Sequence, residues 1–299
     1  MKKFVLCLIT CITVLGFTYN VVYASDDNVK QDILSIMMGY PGLIKDIQKD
    51  GQGKIYLVTL SGRKILYDDG ADKGFDAKVN NADIEDTLHQ IYPLEMPEKL
   101  TDINLDPGRF RCYDLLNEVY GDSQSKVQSN LTSVPDPYSN YQFNKCNKAA
   151  ESLGAAMSEL REAAKHNNKI AALIGSVNGT FNYRVIAGTG KLSPHAYGIA
   201  IDIASNPSDY WKWASREAGE KRMLYYPKEL VEIFEKHNFV WGGKWGHFDI
   251  LHFEYRPEVI IKARYFSDGE VQSEESWFKQ IPLNEENQKL IEFIDSRVQ

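Results

Sequence analysis

The segment Ser193-Pro194-His195-Ala196-Tyr197-Gly198-Ile199-Ala200-Ile201-Asp202 constrains this chain more than any other. Ile199, Ile201 and Ile203 alternate with Ala200 and Asp202, the period of a half-buried strand, so Asp202 points away from the isoleucine face. Gly198 lets the backbone bend just before that strand, which allows His195 to fold back towards Asp202. A second stretch runs from Trp241 to Pro257 and contains Trp241-Gly242-Gly243-Lys244-Trp245 and Asp249-Ile250-Leu251-His252-Phe253-Glu254. Together the two stretches offer His195, Asp202 and His252. Catalytic zinc sites use three protein ligands of this kind and leave the fourth position to water.

The second stretch leaves one question open. Strict alternation puts His252 and Glu254 on one face and Asp249 on the other. Glu254 would then be the carboxylate beside the metal, unless the chain bends or bulges between Asp249 and His252. The Gly242-Gly243 pair marks a tight turn upstream.

The pattern S-x-H-x-x-G-x-A-x-D, followed by W-G-G-x-W and D-x-x-H-F-E, resembles the zinc D-alanyl-D-alanine peptidases. That group includes the vancomycin-resistance dipeptidases and carboxypeptidases and phage L-alanyl-D-glutamate endolysins, within the lysostaphin/D-Ala-D-Ala/hedgehog metallopeptidase fold. The resemblance covers roughly residues 110–257. It implies that His195, Asp202 and His252 hold Zn2+ and that Asp249, rather than Glu254, is the general base. It also implies an arginine for the substrate carboxylate or the oxyanion, a role that Arg184 is placed to fill. Ser193 and Glu254 are candidates for orienting the ligand imidazoles, and His247 for that task or for touching substrate. The implied fold is α+β, a small antiparallel sheet carrying the zinc and flanked by helices. The implied substrate is a peptidoglycan stem peptide. The bond would be D-alanyl-D-alanine, with L-alanyl-D-glutamate as the alternative. A rival of another class is a wall-binding module that keeps zinc without hydrolysis, because a fold does not guarantee an activity.

The chain begins with Met1-Lys2-Lys3, an apolar run from Phe4 to Phe17, and Val22-Tyr23-Ala24, which reads as a secretory signal over residues 1–24. The apolar run is short for a membrane-spanning helix, so no stable anchor is expected after cleavage, and the protein should act outside the cytoplasm. Cleavage would remove Lys2 and Lys3 and no acid. It would leave 32 of the 34 basic side chains against 41 acidic ones, a formal charge of −9. That balance argues against nucleic acid as a partner and against electrostatic adhesion to anionic polymers. Cys7 and Cys11 would leave with the signal, and Cys112 and Cys146 form a candidate disulfide outside the cell.

Domain organisation is expected to follow as an N-terminal region over 25–106, the peptidase domain over 107–270 and a helical tail over 271–299. Within the first, 29–38 reads as a helix, 54–60 and 64–67 as a hairpin about Ser61-Gly62, 83–92 as a helix and 93–107 as a linker. The acids Asp68, Asp69 and Asp72 lack calcium-loop spacing and read as a solvated turn. Further on, 113–119, 147–168 and 230–236 read as helices. Residues 129–141, rich in Ser, Asn, Pro and Tyr, read as a loop beside the cleft. The helix over 285–298 reads as solvated and prone to fraying. Tyr210, Trp211, Trp213, Tyr225 and Tyr226 either line the cleft or pack in the core. G-x-S-x-G is absent around Ser193, so no serine nucleophile competes.

Overall fold

The computed structural model describes residues 26–267 and 276–298. The signal expected over 1–24 lies outside them.

Helix α1 (Asp26–Gly39) starts on two acids, Asp26 and Asp27, which suit the positive end of a helix dipole. It buries Val29, Ile33, Leu34 and Ile36. A three-stranded antiparallel meander follows: β1 (Ile44–Lys49), β2 (Ile55–Thr59) and β3 (Lys64–Leu66). The β2–β3 hairpin is the one the alternation predicts. Strand β1 was not expected, because a register shift between Ile44 and Asp46 breaks its alternation. Buried Ile44 and Ile47 therefore stand three apart, which mimics helical spacing.

Helix α2 (Phe75–Asn81) is followed by α3 (Ile84–Leu88). The latter is shorter than 83–92, and Asp83 and Asp86 form a capping box at its start. The nearby acids are not merely solvated. The Lys73 ammonium lies 2.8 Å from Asp69, 2.9 Å from Asp83 and 2.6 Å from Asp86, where a cation would otherwise sit. Residues 93–107 have no helix or strand, yet they grip the second motif. Thr101 Oγ1 donates to the Lys244 carbonyl at 2.8 Å, Gly246 N–H to the Leu105 carbonyl at 2.7 Å and Trp245 Nε1 to the Pro107 carbonyl at 2.8 Å.

Helices α4 (Tyr113–Tyr120) and α5 (Gln124–Asn130) lead into a hairpin, β4 (Leu131–Asp136) and β5 (Ser139–Asn144). A loop was expected here because residues 129–141 are rich in Ser, Asn, Pro and Tyr. Proline is tolerated in a strand that has a free edge, and β4 pairs only with β5. Val134, Tyr141 and Phe143 are buried, and Arg161 makes a two-pronged ion pair with Asp136 that ties the hairpin to α6 (Ala149–Ala164). Helix α6 fills most of the helix expected over 147–168, and a separate helix, α7 (Asn168–Ile174), follows it.

The C-terminal half adds α8 (Pro194–Tyr197), β6 (Ala200–Asp202), α9 (Arg216–Met223), α10 (Lys228–Lys236), β7 (Phe239–Trp241), β8 (His252–Tyr255) and α11 (Pro257–Tyr265). Strands β6 and β7 flank β8, all antiparallel, with α10 and α11 packed on β7. Ile199, Ile201 and Ile203 are fully buried, as their spacing predicts. The architecture is small antiparallel sheets among helices, compatible with α+β. Helix α12 (Glu285–Asp295) is not a frayed tail: Ile291 and Ile294 are buried, it packs on α1, and Lys30 reaches Asp295 at 2.7 Å. Its apolar positions recur three apart, which is the stripe of a docked helix.

Cys112 and Cys146 are both free thiols, against the expected bridge. Each packs as a small apolar side chain, Cys112 inside the core and Cys146 partly buried against it. Burial pushes the Cys112 thiol up to about 12.

Candidate metal centre

Strand register places the first two functional groups. Asp202 on β6 is directly opposite His252 on β8, so their side chains share one face of the sheet. His195 arrives from α8, a single turn capped at both ends. Ser193 Oγ accepts the His195 backbone N–H at 3.4 Å, and Gly198 closes the turn at φ +68°. A Cβ at Gly198 would stand 2.7 Å from Leu131 Cδ2 and 3.2 Å from Asn144 N, so glycine is required twice over.

Three ligand-type atoms converge. His252 Nδ1 lies 2.9 Å from Asp202 Oδ1, His195 Nε2 lies 3.2 Å from the same oxygen, and the two ring nitrogens are 3.2 Å apart. Zinc bonds of 2.0–2.1 Å in a tetrahedron separate neighbouring ligands by about 3.3 Å. The triangle is therefore close to the size and composition that a zinc ion needs.

The opposite ring nitrogens are held by other groups. His195 Nδ1–H donates to the Thr180 carbonyl at 2.6 Å, which leaves Nε2 facing the centre. The segment carrying Thr180 runs along the free edge of β6, with Gly179 bridged to Asp202. His252 Nε2 faces Glu254 Oε2 at 3.7 Å. Glu254 is fully buried and takes a fork from Arg111, with Nε–Oε1 at 2.8 Å and Nη2–Oε2 at 2.6 Å. Metal-bound imidazoles commonly use a carbonyl or carboxylate in this way. Thr180 therefore does for His195 what the sequence suggested for Ser193, whose hydroxyl caps the turn instead.

Charges within the cluster oppose burial. Burial raises the Asp202 carboxyl, but hydrogen bonds from His195 and His252 outweigh it and hold the group well below the usual carboxylate range. Burial lowers His252, yet Asp202 and Glu254 carry it up to about 9. Burial likewise raises Glu254, but Arg111 and His252 hold it far down. That carboxylate is clasped by Arg111 and stands behind the His252 imidazole rather than among the three converging atoms.

Asp249 is the free carboxylate. Its carbonyl accepts the His252 N–H at 3.1 Å, closing a four-residue turn that supplies the bend strict alternation lacked. Gly242 lies so close that a Cβ there would stand 2.4 Å from the Asp249 carbonyl oxygen. Asp249 is half-buried, and burial, with Asp202 adding, raises its carboxyl to about 6 against the pull of His252, Arg109 and His195.

The remaining sequence candidates fall in two places. Arg184 is exposed, and its guanidinium has no hydrogen bond or ion pair among the described residues. Its backbone is nonetheless tied to the His195 turn: the Arg184 carbonyl accepts Ser193 N–H at 3.0 Å, and Asn182 N–H donates to the His195 carbonyl at 3.1 Å. His247 is outside the three-atom cluster. Asp106 accepts both its backbone N–H at 2.9 Å and its Nδ1–H at 2.8 Å. Sequence reasoning missed Arg109 and Arg111, one half-buried near Asp249 and the other clasping Glu254. Neither arginine lies in a local pattern that marks a site in the sequence.

Residues 187–255 match the family model described as D-alanyl-D-alanine carboxypeptidase, the family that the two stretches resemble. The matched span holds His195, Asp202, Asp249, His252 and Glu254, while Arg184, Arg109 and Arg111 precede it. No protein of curated function and no solved structure matches the chain.

Proposed function

We propose that the chain is a secreted zinc metallopeptidase that hydrolyses peptidoglycan stem peptides, as a D-alanyl-D-alanine carboxypeptidase. The observation that carries this reading is the three-atom cluster of His195, Asp202 and His252 inside the span matched to that family. A zinc ion held there would polarise a scissile carbonyl and lower the pKa of a water, leaving a net +1 after one aspartate.

The chain's own groups then divide the work. Thr180 and Glu254 fix the two imidazoles so that one nitrogen of each faces the centre. Asp249 takes the proton of the attacking water and returns it to the leaving amine. Its carboxylate is half-buried beside the cluster and accepts no side-chain hydrogen bond among the described residues, which leaves it open to a proton. Arg184, exposed and unpaired beside the His195 turn, is free to clasp the substrate's terminal carboxylate. A free C-terminal carboxylate is what distinguishes a carboxypeptidase substrate, and this supports the D-alanyl-D-alanine bond over an internal one. No helix among the described residues is long and apolar enough to cross a membrane.

The test is mass spectrometry of muropeptides incubated with the protein, with chelator and after zinc is restored. Loss of one terminal alanine, abolished by chelation and recovered with zinc, is the expected outcome. A cut between the first and second stem residues would replace the bond. No product from protein that carries zinc would overturn the hydrolase reading.

A further inference from the structure

Phe75, Trp211 and His247 form an aromatic wall next to Asp249 that the metal cluster does not use. Phe75 opens α2, in the N-terminal region, far in sequence from the metal ligands. Its ring stacks on His247 with centroids 3.8 Å apart and planes 20° apart, and Trp211 meets that imidazole edge-on at 4.5 Å. Arg109 lies behind, its guanidinium 5.7 Å from the Phe75 ring and 5.0 Å from the Trp245 ring, donating to the His247 carbonyl. With Asp106 holding both the N–H and Nδ1–H of His247, the imidazole cannot turn.

Two features suggest that this wall is built to receive something. Trp211 Nε1–H is buried and forms no hydrogen bond of full geometry among the described residues, Tyr210 beside it being its only weak contact. A buried donor so poorly met costs on the order of 1 kcal/mol, which native proteins rarely keep without a use. The wall also continues directly into the base. Trp211 N–H donates to the Phe248 carbonyl at 3.0 Å, and Tyr210 is bridged to Asp249 itself. Phe75 and Trp211 are only half-buried, so ring surface remains open. Arg109 is covered by rings and flanked by Asp106 and Asp249, and the wall presents no uncompensated charge.

We infer that this wall is the subsite for the uncharged part of the stem peptide beside the scissile bond. Phe75 supplies an apolar face for methyl groups and peptide planes, and Trp211 Nε1–H donates to a substrate carbonyl. The cleft is thus composite, completed by a residue from the N-terminal region. This rests on the peptidase reading.

The test uses the full-length zinc protein and a synthetic stem peptide ending in D-alanyl-D-alanine. Its variants are Phe75→Ala, Phe75→Tyr and Trp211→Phe, the last removing only the N–H donor and part of the ring. Expected is a KM about tenfold higher for Phe75→Ala and Trp211→Phe, the scale of one aromatic contact or hydrogen bond. Their kcat should stay within about threefold, and Phe75→Tyr should restore KM. Calorimetric binding of the same peptide to the Asp249→Asn protein, alone and combined with each variant, should weaken in parallel. An unchanged KM and binding constant in both variants would overturn the inference, as would a loss confined to kcat. Should Phe75→Ala lose zinc or melt early, Trp211→Phe decides alone. Wild-type protein that binds the peptide without cleaving it would sink the peptidase reading and leave the subsite standing.

Discussion

Arg111 Nη2 lies 2.6 Å from Glu254 Oε2, and both side chains are buried. Arg256 adds a second guanidinium 3.5 Å from the other carboxylate oxygen. His252, whose other ring nitrogen faces Asp202 and His195, is therefore backed by a carboxylate whose charge is already met. Replacing Arg111 with Met would remove the short, two-pronged partner of that charge and leave it only the 3.5 Å contact with Arg256. The expected result is a loss of about 3–5 kcal/mol in chemical denaturation, the usual scale for breaking a buried pair. Zinc affinity in a competition titration should fall about 10–100-fold, as outer-shell changes do.

Asp202 and Asp249 should separate under mutation although both are aspartates at or beside the same three-atom cluster. Asp202→Ala is expected to lower zinc content measured by elemental analysis, and full stoichiometry in that variant would refute its role as a ligand. Asp249→Asn should keep zinc and lower kcat by about 10²–10⁴, the range for a lost general base.

Asp249 also gives a pH signature in the metal-free protein. Its folded carboxyl titrates at about 6, against about 3.9 when unfolded. Between those values the native state binds a proton that the unfolded state has lost, so this group makes stability fall as pH rises from about 4 to about 6. Chelated Asp249→Asn should lack that component and gain stability relative to wild type over the same window. Equal slopes in urea denaturation would contradict the assignment.

Lys244 is completely buried, with Nζ 2.5 Å from Glu235 and 2.7 Å from the Pro93 carbonyl. It joins the Gly-Gly-Lys turn, α10 and the 93–107 segment at one point. Lys244→Ala should destabilise by about 3–5 kcal/mol because Glu235 is left buried and unpaired. The double variant Lys244→Met with Glu235→Leu should recover much of that loss in thermal melts.

The residues that could be read from the sequence are those governed by local periodicity. Alternation of Ile199, Ile201 and Ile203 turns Asp202 to the site, and the turn of Ser193 to Gly198 brings His195 back. Alternation failed at Asp249, where a turn reverses the face, and at β1, where a bulge spaces Ile44 and Ile47 like helical neighbours. The carbonyl of Thr180, the Asp106 carboxylate, Arg111 and Phe75 could not be read at all. Each reaches its partner across a tertiary contact that leaves no local trace, as in the Phe75–His247 stack.

The unbridged Cys112 and Cys146 carry a consequence for how this molecule is made. Folding has no covalent cross-link between them to close, so it needs neither an oxidase nor an isomerase, and its rate is independent of the ambient redox couple. With its thiol pushed up to about 12, Cys112 is almost entirely un-ionised at neutral pH and a poor target for oxidants or alkylating reagents. Preparations from a reducing cytoplasm, or refolded in excess dithiothreitol, should reach the same native state as preparations made in air.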